Sequence, residues 1–156
     1  MDNVAPISWG RQLPSRQLAL SLAHCETSGS NYLEYEAMIK RFDVGVRMSE
    51  MAVYNGVAYL AGQVAGDMSL DVAGQTSQVL AEIDALLARA GTDKSKILRA
   101  QIFLADINEF AGMNAVWDAW VPADHTPPRA TVEGKLAKPG YRVEIVVTAA
   151  VENAPA

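Results

Sequence analysis

The pattern of apolar and polar positions predicts a β-hairpin that begins at Met51. The β-forming runs Met51–Tyr54 and Val57–Ala61 flank Asn55-Gly56, and this pair readily adopts the positive φ angles of a tight two-residue turn. Gly62-Gln63 and Gly66-Asp67 follow in the chain. Because glycine breaks regular strands, we predict that these pairs end the second strand.

An amphipathic helix is predicted between Asp71 and Ala90. Apolar residues recur in this segment at helical spacing, so they would form one buried stripe. Gly91 follows, as is typical of a helix C-terminus. The stripe consists of Val72, Val79, Ile83, Leu86, Leu87 and Ala90.

A second helix is predicted from Asp106 to about Val121. Asp106 is followed three residues later by Glu109, a spacing that resembles a capping box. Pro122 would end the helix, because proline lacks the N–H group that a helix interior needs. Its apolar positions are Phe110, Met113, Val116, Trp117 and Trp120.

Three further apolar runs are predicted to be strands: Ile97–Ala105, Arg129–Val132 and Val143–Val151. The order of elements is then β-β-α-β-α-β-β, which predicts an α+β sandwich with both helices on one face of the sheet. The other face would keep its Val, Ile and Thr side chains uncovered. Because an open apolar face is an association surface, we expect a homo-oligomer.

Composition narrows the function classes. The 156 residues indicate one domain with an ordinary apolar core, and the net charge of −5 with a pI near 5.0 gives little support to nucleic-acid binding. No apolar run reaches the length that a bilayer requires, so no membrane partner is predicted. Cys25 is the only cysteine, and with His24 and His125 it lacks the spacing of a zinc site. These features predict a cytoplasmic protein without a metal.

The first 37 residues differ from the rest of the chain. They contain Pro6, Pro14 and the polar run Thr27–Asn31, and strong periodicity starts only after Met38. We predict that residues 1–37 are a flexible extension, or sequence upstream of a true start at Met38, and that residues 38–156 form the domain. A mature species that begins well before Met38 in an intact-mass measurement would exclude the start-codon version.

Two charged residues stand out among the apolar strands. Arg129 lies at the entrance of one strand and Glu144 lies inside the next, where a charge is costly unless a partner or ligand accepts it. Arginine is well shaped to hold a carboxylate, so the pair suggests a cleft for a small acid and a water molecule. The alternative is a structural ion pair, with Glu133 or Asp124 for Arg129 and with Arg142 or Lys135 for Glu144.

Six segments, in this order and at this spacing, resemble the Rid family (RidA or YjgF, the reactive intermediate deaminases). The sequence of the segment Trp117–Val121 is most similar to that of the YoaB-like branch of the family. The resemblance extends roughly from Arg47 to Val151. The segments are Tyr59–Val64, Gln75–Ile83, Asp106–Phe110, Met113–Trp117, Pro128–Val132 and Val143–Ile145.

The resemblance implies a chorismate-mutase-like fold and a homotrimer with three clefts between subunits. It also implies the hydrolysis of enamines and imines to 2-oxo acids and ammonia, without a cofactor. The residues matched to the family's site are Arg129 for the substrate carboxylate, Glu144 for the attacking water, and Asn114, Thr131, Ala61 and Gly62 as substrate-binding positions. Ala61 stands where many members have Ser, and Thr131 stands where many have Cys.

Other functions stay open at this point. A non-catalytic trimer of the same family would use the same clefts to bind small carboxylates. RNA cleavage is disfavoured by the acidic charge and by the absence of a basic stripe in the sequence. A chorismate mutase would need several cationic residues for its dianionic substrate, whereas the motifs supply Arg129 alone. Asn114 has a structural alternative, which is to cap or bridge backbone groups.

Overall fold

The computed structural model describes residues 38–152, and the predicted extension at residues 1–37 lies outside them. This part of the chain forms seven strands, two helices and two short 3-10 turns. The strands are β1 (Lys40–Phe42), β2 (Met51–Tyr54), β3 (Val57–Leu60), β4 (Gln63–Val64), β5 (Ile97–Leu104), β6 (Arg129–Glu133) and β7 (Val143–Ala150). The helices are α1 (Val72–Ala90) and α2 (Phe110–Trp120), and the 3-10 turns are Lys94–Lys96 and Ile107–Glu109.

The strands form one mixed sheet in the order β1-β2-β3-β7-β5-β6, and β4 pairs with β7 beside β3. All pairings are antiparallel except that of β5 with β6. Strand β6 is therefore an edge strand within residues 38–152. Strand β6 carries Arg129, one of the site residues predicted from the sequence.

The structure confirms the predicted hairpin and the predicted first helix. Asn55 and Gly56 have φ angles of 49° and 72°, so both occupy the conformation that a primed turn requires. Helix α1 begins after Asp71, whose carboxylate accepts a hydrogen bond of 2.8 Å from the N–H of Gly74. It ends at Gly91, which has the left-handed φ of 78°.

Side chains on β7 divide the sheet into two faces. Val143, Ile145, Val147 and Ala149 are completely buried, whereas the residues between them are partly exposed. The buried residues face the helices, which contribute Leu80, Ile83, Leu87 and Met113 to the same core. We call this side the helix-bearing face.

The other side, which we call the open face, is uncovered within residues 38–152. It carries large apolar side chains that alternate with the buried positions, and Tyr59 is 50% exposed. The α+β class with its two helices and mixed sheet is thus confirmed. The homo-oligomer that would cover the open face stays a prediction.

Two short strands, β1 and β4, were not predicted from the sequence. Strand β1 has three residues and pairs with β2. Strand β4 consists of Gln63–Val64 and pairs with Ile145 and Glu144 of β7, although Gln63 was predicted to belong to the break that ends the second strand. Strand β3 ends one residue before Ala61-Gly62, which is therefore where the break lies. The buried Gln63 side chain donates a hydrogen bond to the Glu50 carboxylate at 3.2 Å. The break therefore shifts the chain from β3 onto the adjacent end of β7.

The predicted capping box at Asp106 was wrong. Asp106 accepts a hydrogen bond of 2.9 Å from the N–H of Asn108, and this contact begins a 3-10 turn rather than α2. Glu109 does not return to the backbone, because its carboxylate pairs with Arg142. Helix α2 consequently begins at Phe110 without a side-chain cap.

Gln75 joins α1 to two loops from the interior of the protein. It is completely buried, its amide N–H groups donate to the carbonyls of Leu70 and Gly140 at 3.1 and 3.0 Å, and its oxygen accepts from the N–H of Arg142 at 2.9 Å. The loop that precedes β7 is thereby tied to the core.

Gln75→Leu is expected to lower the free energy of unfolding by about 2–4 kcal/mol, because each buried polar group left unpaired costs about 1–3 kcal/mol. Urea unfolding checks this value. Gln78→Leu serves as the control, since the contact of Gln78 with Asp67 is exposed. Equal losses in the two variants would contradict the structural role of Gln75.

Candidate functional site

Arg129 lies at the edge of the sheet on its helix-bearing face. It pairs in register with Ala100 of β5, which is completely buried under the helices, and residues opposite each other on paired strands project to the same face. The guanidinium carbon lies 5.0 Å from the ring centroid of Trp117 and 5.9 Å from that of Phe110, both on α2. The partly buried Arg129 side chain thus packs against α2.

The Arg129 guanidinium has no carboxylate partner among residues 38–152. Its Nη1 atom is buried and lacks a hydrogen-bond acceptor, and none of the ion pairs within this range includes it. The structural alternative with Glu133 is not formed, since Glu133 accepts from the N–H of Ile107 at 3.0 Å. Arg129 as a whole is partly buried, but an enclosed Nη1 donor without an acceptor is costly, so its position favours a ligand.

Two neutral side chains, one on β6 and one on the α2 stripe that faces Arg129, are also unpartnered. The buried Asn114 Oδ1 and Thr131 Oγ1 atoms have no hydrogen-bond partner among the described residues. Thr131 follows Arg129 by two positions in β6 and pairs with buried Ile102, so it projects to the same face. Asn114 lies four residues after Phe110 on α2, on the same helical stripe.

We call Arg129, Asn114 and Thr131 the clamp cluster. Within residues 38–152 its members supply all of the buried side-chain nitrogen and oxygen atoms that lack a partner. The alternative in which Asn114 caps or bridges backbone groups is not supported, because its Oδ1 atom is unpaired. The cluster offers a cationic donor, a hydroxyl and an amide oxygen in a largely apolar setting.

Glu144 lies on the open face. It stands between buried Val143 and Ile145 in β7 and pairs with Val64 of β4. Its carboxyl group reaches Gly62, where an added Cβ atom would lie 2.8 Å from Glu144 Cδ. Its predicted structural partner Arg142 pairs with Glu109 instead. Gly62 thus leaves the space that the Glu144 carboxylate occupies.

Arg129 and Glu144 therefore do not meet within one chain. Arg129 projects to the helix-bearing face at an edge strand, whereas Glu144 projects to the open face from the middle of the sheet. The single cleft suggested by the sequence is not formed by one copy. The two groups can share a site only if the β6 edge of one copy meets the open face of another.

A cavity of about 470 Å³ adjoins Gly62 on the side of α1. Asp43 and Arg89 line it and form an ion pair, with oxygen–nitrogen distances of 2.6 and 3.0 Å. Hydrogen bonding from Arg89 holds the pKa of Asp43 below its ordinary value. Ala61, the other predicted position here, is partly buried and donates its N–H to the carbonyl of Glu50 at 2.9 Å.

Elsewhere in residues 38–152 we looked for other candidate binding sites. A cavity of about 580 Å³ lies under residues 133–141 and is lined by neither Arg129 nor Glu144. No group of three or more potential metal ligands occurs within residues 38–152. Among the helices described, none combines the length and the apolar character needed to cross a bilayer. His125 lies on an exposed loop.

The contacts of Phe110 and Trp117 with the Arg129 guanidinium were not predicted from the sequence. Trp117 was predicted only as an apolar position of the second helix; it lies in the core, and its ring also faces the Arg129 guanidinium. The available signal was the seven-residue spacing of Phe110 and Trp117, which places both on the helical stripe of Asn114. The sequence alone did not indicate that β6 would lie under this stripe.

Gly62→Ala is expected to displace the Glu144 carboxylate, because the new methyl group would occupy its position. For the imine hydrolysis that the family resemblance implies, we predict a loss in kcat of about 10- to 100-fold, a part of the roughly 10²–10⁴-fold that a general base contributes. Backbone strain does not contribute, since Gly62 has no positive φ angle. Gly66→Ala is the matched control, because its Cβ atom would meet nothing closer than 4.0 Å. Equal activity of the two variants in an imine hydrolysis assay would contradict the role of this contact.

Comparison with known proteins defines the class of this chain. Its fold is that of YjgF-type α+β proteins: a member of the YjgF protein family from Neisseria meningitidis superposes with a TM-score of 0.74 and 45% identity, over 77% of this chain and 100% of that one. The family model described as endoribonuclease L-PSP matches residues 38–151. The chain belongs to this family, which confirms the resemblance to Rid and YjgF proteins.

Similar curated proteins lie in the same branch as predicted. A RutC family protein from Haemophilus ducreyi is 53% identical over 116 residues, which are 74% of this chain and 99% of the relative. The RutC family protein YoaB from Escherichia coli is 48% identical over 113 residues, 72% of this chain and 98% of the relative. Both alignments therefore span nearly the whole of the relative.

Proposed function

We propose that this protein hydrolyses 2-imino acids and their enamine tautomers to 2-oxo acids and ammonia. The observation that carries the proposal is the Arg129 guanidinium, whose buried Nη1 atom lacks an acceptor and which shares its side of the sheet with the unpartnered Thr131 hydroxyl and the facing stripe of α2 that carries Asn114. A substrate carboxylate supplies the missing acceptor, and guanidinium is the cation best suited to hold it. The resemblance of the site motifs to those of the reactive intermediate deaminases favours the same assignment.

The proposed site is built by neighbouring copies of the chain in a homotrimer. One copy contributes Arg129 with the rest of the clamp cluster, and its neighbour contributes Glu144 beside Gly62. Two features support this division: Arg129 lies on an edge strand, and Glu144 lies on the open face. A cyclic trimer repeats the contact three times and thereby covers the apolar open face.

The chemistry needs no cofactor because an imine carbon is already electrophilic, more so when its nitrogen is protonated. Arg129 fixes the carboxylate, and orientation of this kind lowers a barrier by several kcal/mol, up to roughly 7–11 in ideal cases. Glu144 orients a water molecule and accepts its proton while the oxygen attacks C2. The proton then passes to the nitrogen of the tetrahedral intermediate, which now carries a hydroxyl group on C2. As the C–N bond breaks and ammonia leaves, the Glu144 carboxylate accepts the hydroxyl proton, the C=O bond of the 2-oxo acid forms, and the proton is released to solvent.

Thr131 and Asn114 complete the proposed pocket from the Arg129 side, and Ala61 and Gly62 complete it from the Glu144 side. The Thr131 hydroxyl donates to the second carboxylate oxygen, whereas Asn114 Oδ1 accepts from the substrate nitrogen. Ala61 offers no hydroxyl at the position where many family members have Ser. Thr131 likewise stands where many members have Cys. The range of accepted substrates therefore depends on Ala61 and Thr131.

The proposal is tested with 2-iminopropanoate or 2-aminoacrylate generated in situ, and the decay of the imine is followed with and without the protein. Hydrolysis is supported if the protein accelerates the decay of the imine and one pyruvate is formed for each imine consumed. Thermal stabilisation by 2-oxo acids without turnover would instead identify a non-catalytic carboxylate-binding trimer. Because the family model is described as an endoribonuclease, the same preparation is assayed on single-stranded RNA. Cleavage of RNA without imine hydrolysis would contradict the proposal.

A further inference from the structure

We infer that Phe110 and Trp117 form an aromatic platform whose role is to position the Arg129 guanidinium for its ligand. The inference rests on the proposed function for the nature of that ligand, a 2-imino or 2-oxo acid. Phe110 and Trp117 are thus positioning residues, which act on the substrate through Arg129.

The platform follows from the spacing of the two rings along α2. Phe110 and Trp117 are seven residues apart, about two helical turns, so they lie on one face of the helix. The Arg129 guanidinium carbon lies 5.0 Å from the Trp117 centroid and 5.9 Å from that of Phe110. Trp117 is only 4% exposed and is held by the core, whereas Phe110 is 38% exposed and forms the rim.

This arrangement fixes a cation without using its hydrogen-bond donors. A buried arginine is usually held by a carboxylate, which occupies its N–H groups. The faces of aromatic rings attract the guanidinium through their quadrupole and leave its edge free. No acidic side chain within residues 38–152 pairs with Arg129, so no protein carboxylate there competes with a substrate carboxylate.

A second tryptophan on the same helix has a different environment. Trp120 lies with its ring centroid 5.3 Å from that of Trp117, but its Nε1–H donates to Asp84 at 2.9 Å. The cation over its ring is Lys94, at 5.1 Å. Trp120 therefore provides a matched control: its loss removes a large aromatic side chain from α2 and leaves the Arg129 platform in place.

The first test measures the affinity of the full chain for pyruvate by calorimetry. Trp117→Leu is expected to weaken binding about 10-fold and Phe110→Leu about three-fold, as desolvated and partly exposed cation–π contacts predict. Trp117→Phe keeps an aromatic face and is expected to restore binding to within about two-fold. Trp120→Leu is expected to bind pyruvate with unchanged affinity, although its melting temperature falls.

The second test reads the guanidinium directly by ¹⁵N NMR. The Arg129 Nε–H resonance, assigned by its absence in Arg129→Lys, is expected to be shifted upfield by the ring currents. Trp117→Leu removes the larger part of this shift, whereas Trp117→Phe and Trp120→Leu retain it. If Trp117→Leu does not fold, Phe110→Leu decides both tests through its smaller loss of affinity and of shift.

The outcomes separate the platform from the proposed function. If the wild-type protein neither binds pyruvate nor hydrolyses imines, the proposed function fails, and the NMR shift alone decides whether the rings position Arg129. Wild-type affinity in folded Trp117→Leu, or in Phe110→Leu where the former does not fold, overturns the inference. An Arg129 resonance that is unchanged by loss of the rings also overturns it.

Discussion

Arg129→Ala is expected to lower kcat/KM for imine hydrolysis by about 10²–10⁴-fold, because removal of one partner from a desolvated charge pair costs about 3–5 kcal/mol. The variant should fold well, since Arg129 makes no ion pair within residues 38–152. The substitution also removes the enclosed Nη1 donor, whose missing acceptor is a cost in the ligand-free protein. We therefore expect a stable protein with poor substrate binding.

Two further variants sharpen this test. Arg129→Lys keeps the charge but loses the planar pair of donors, so its activity should fall between those of the wild type and Arg129→Ala. Arg41→Ala is the control, because Arg41 is an exposed arginine on β1 at the opposite edge of the sheet. Wild-type turnover by Arg129→Ala, measured at substrate concentrations below KM, would end the assignment of Arg129 as the carboxylate clamp.

Glu144→Gln is expected to lower kcat by about 10²–10⁴-fold, the usual contribution of a general base. The amide has nearly the same size as the carboxylate and fits beside Gly62, but it does not accept a proton from water. KM should change little, since the substrate carboxylate is held by Arg129. The expected effect is thus opposite in kind to that of Arg129→Ala, which acts on binding.

Glu152→Gln is the control for this substitution. Glu152 pairs with Lys96 at 2.7 Å, and its side chain is 78% exposed. Steady-state kinetics of both variants, with kcat and KM determined separately, gives the comparison. A Glu144→Gln variant that raises KM and keeps kcat would mean that Glu144 binds substrate rather than activates water.

Local signals in the sequence predicted most of the fold. Asn55-Gly56 specified the hairpin through its backbone preference, and Asp71 and Gly91 marked the ends of α1. The errors occurred where a distant partner decided the local structure. Glu109 would complete a capping box in isolation, but Arg142 takes its carboxylate. Gln63 joins a strand only because β7 offers it a partner.

The candidate site was predictable as a set of residues but not as an arrangement. The types and motifs of Arg129, Asn114 and Thr131 identified the clamp cluster. Which face of the sheet each charge projects to depends on the register of β5 with β6 and β7, and a shift of one residue would reverse it. The separation of Arg129 from Glu144 therefore became visible only in the folded chain.

Complementation between two inactive variants tests the central claim that Arg129 and Glu144 act together across neighbouring copies. Arg129→Ala and Glu144→Gln chains are mixed in equal amounts, unfolded and refolded together. In a cyclic trimer with sites between subunits, about one quarter of the sites then regain both groups, so about one quarter of wild-type activity should return. Refolding of each variant alone provides the baseline. A folded, trimeric mixture with no more activity than the separate variants would contradict the shared site.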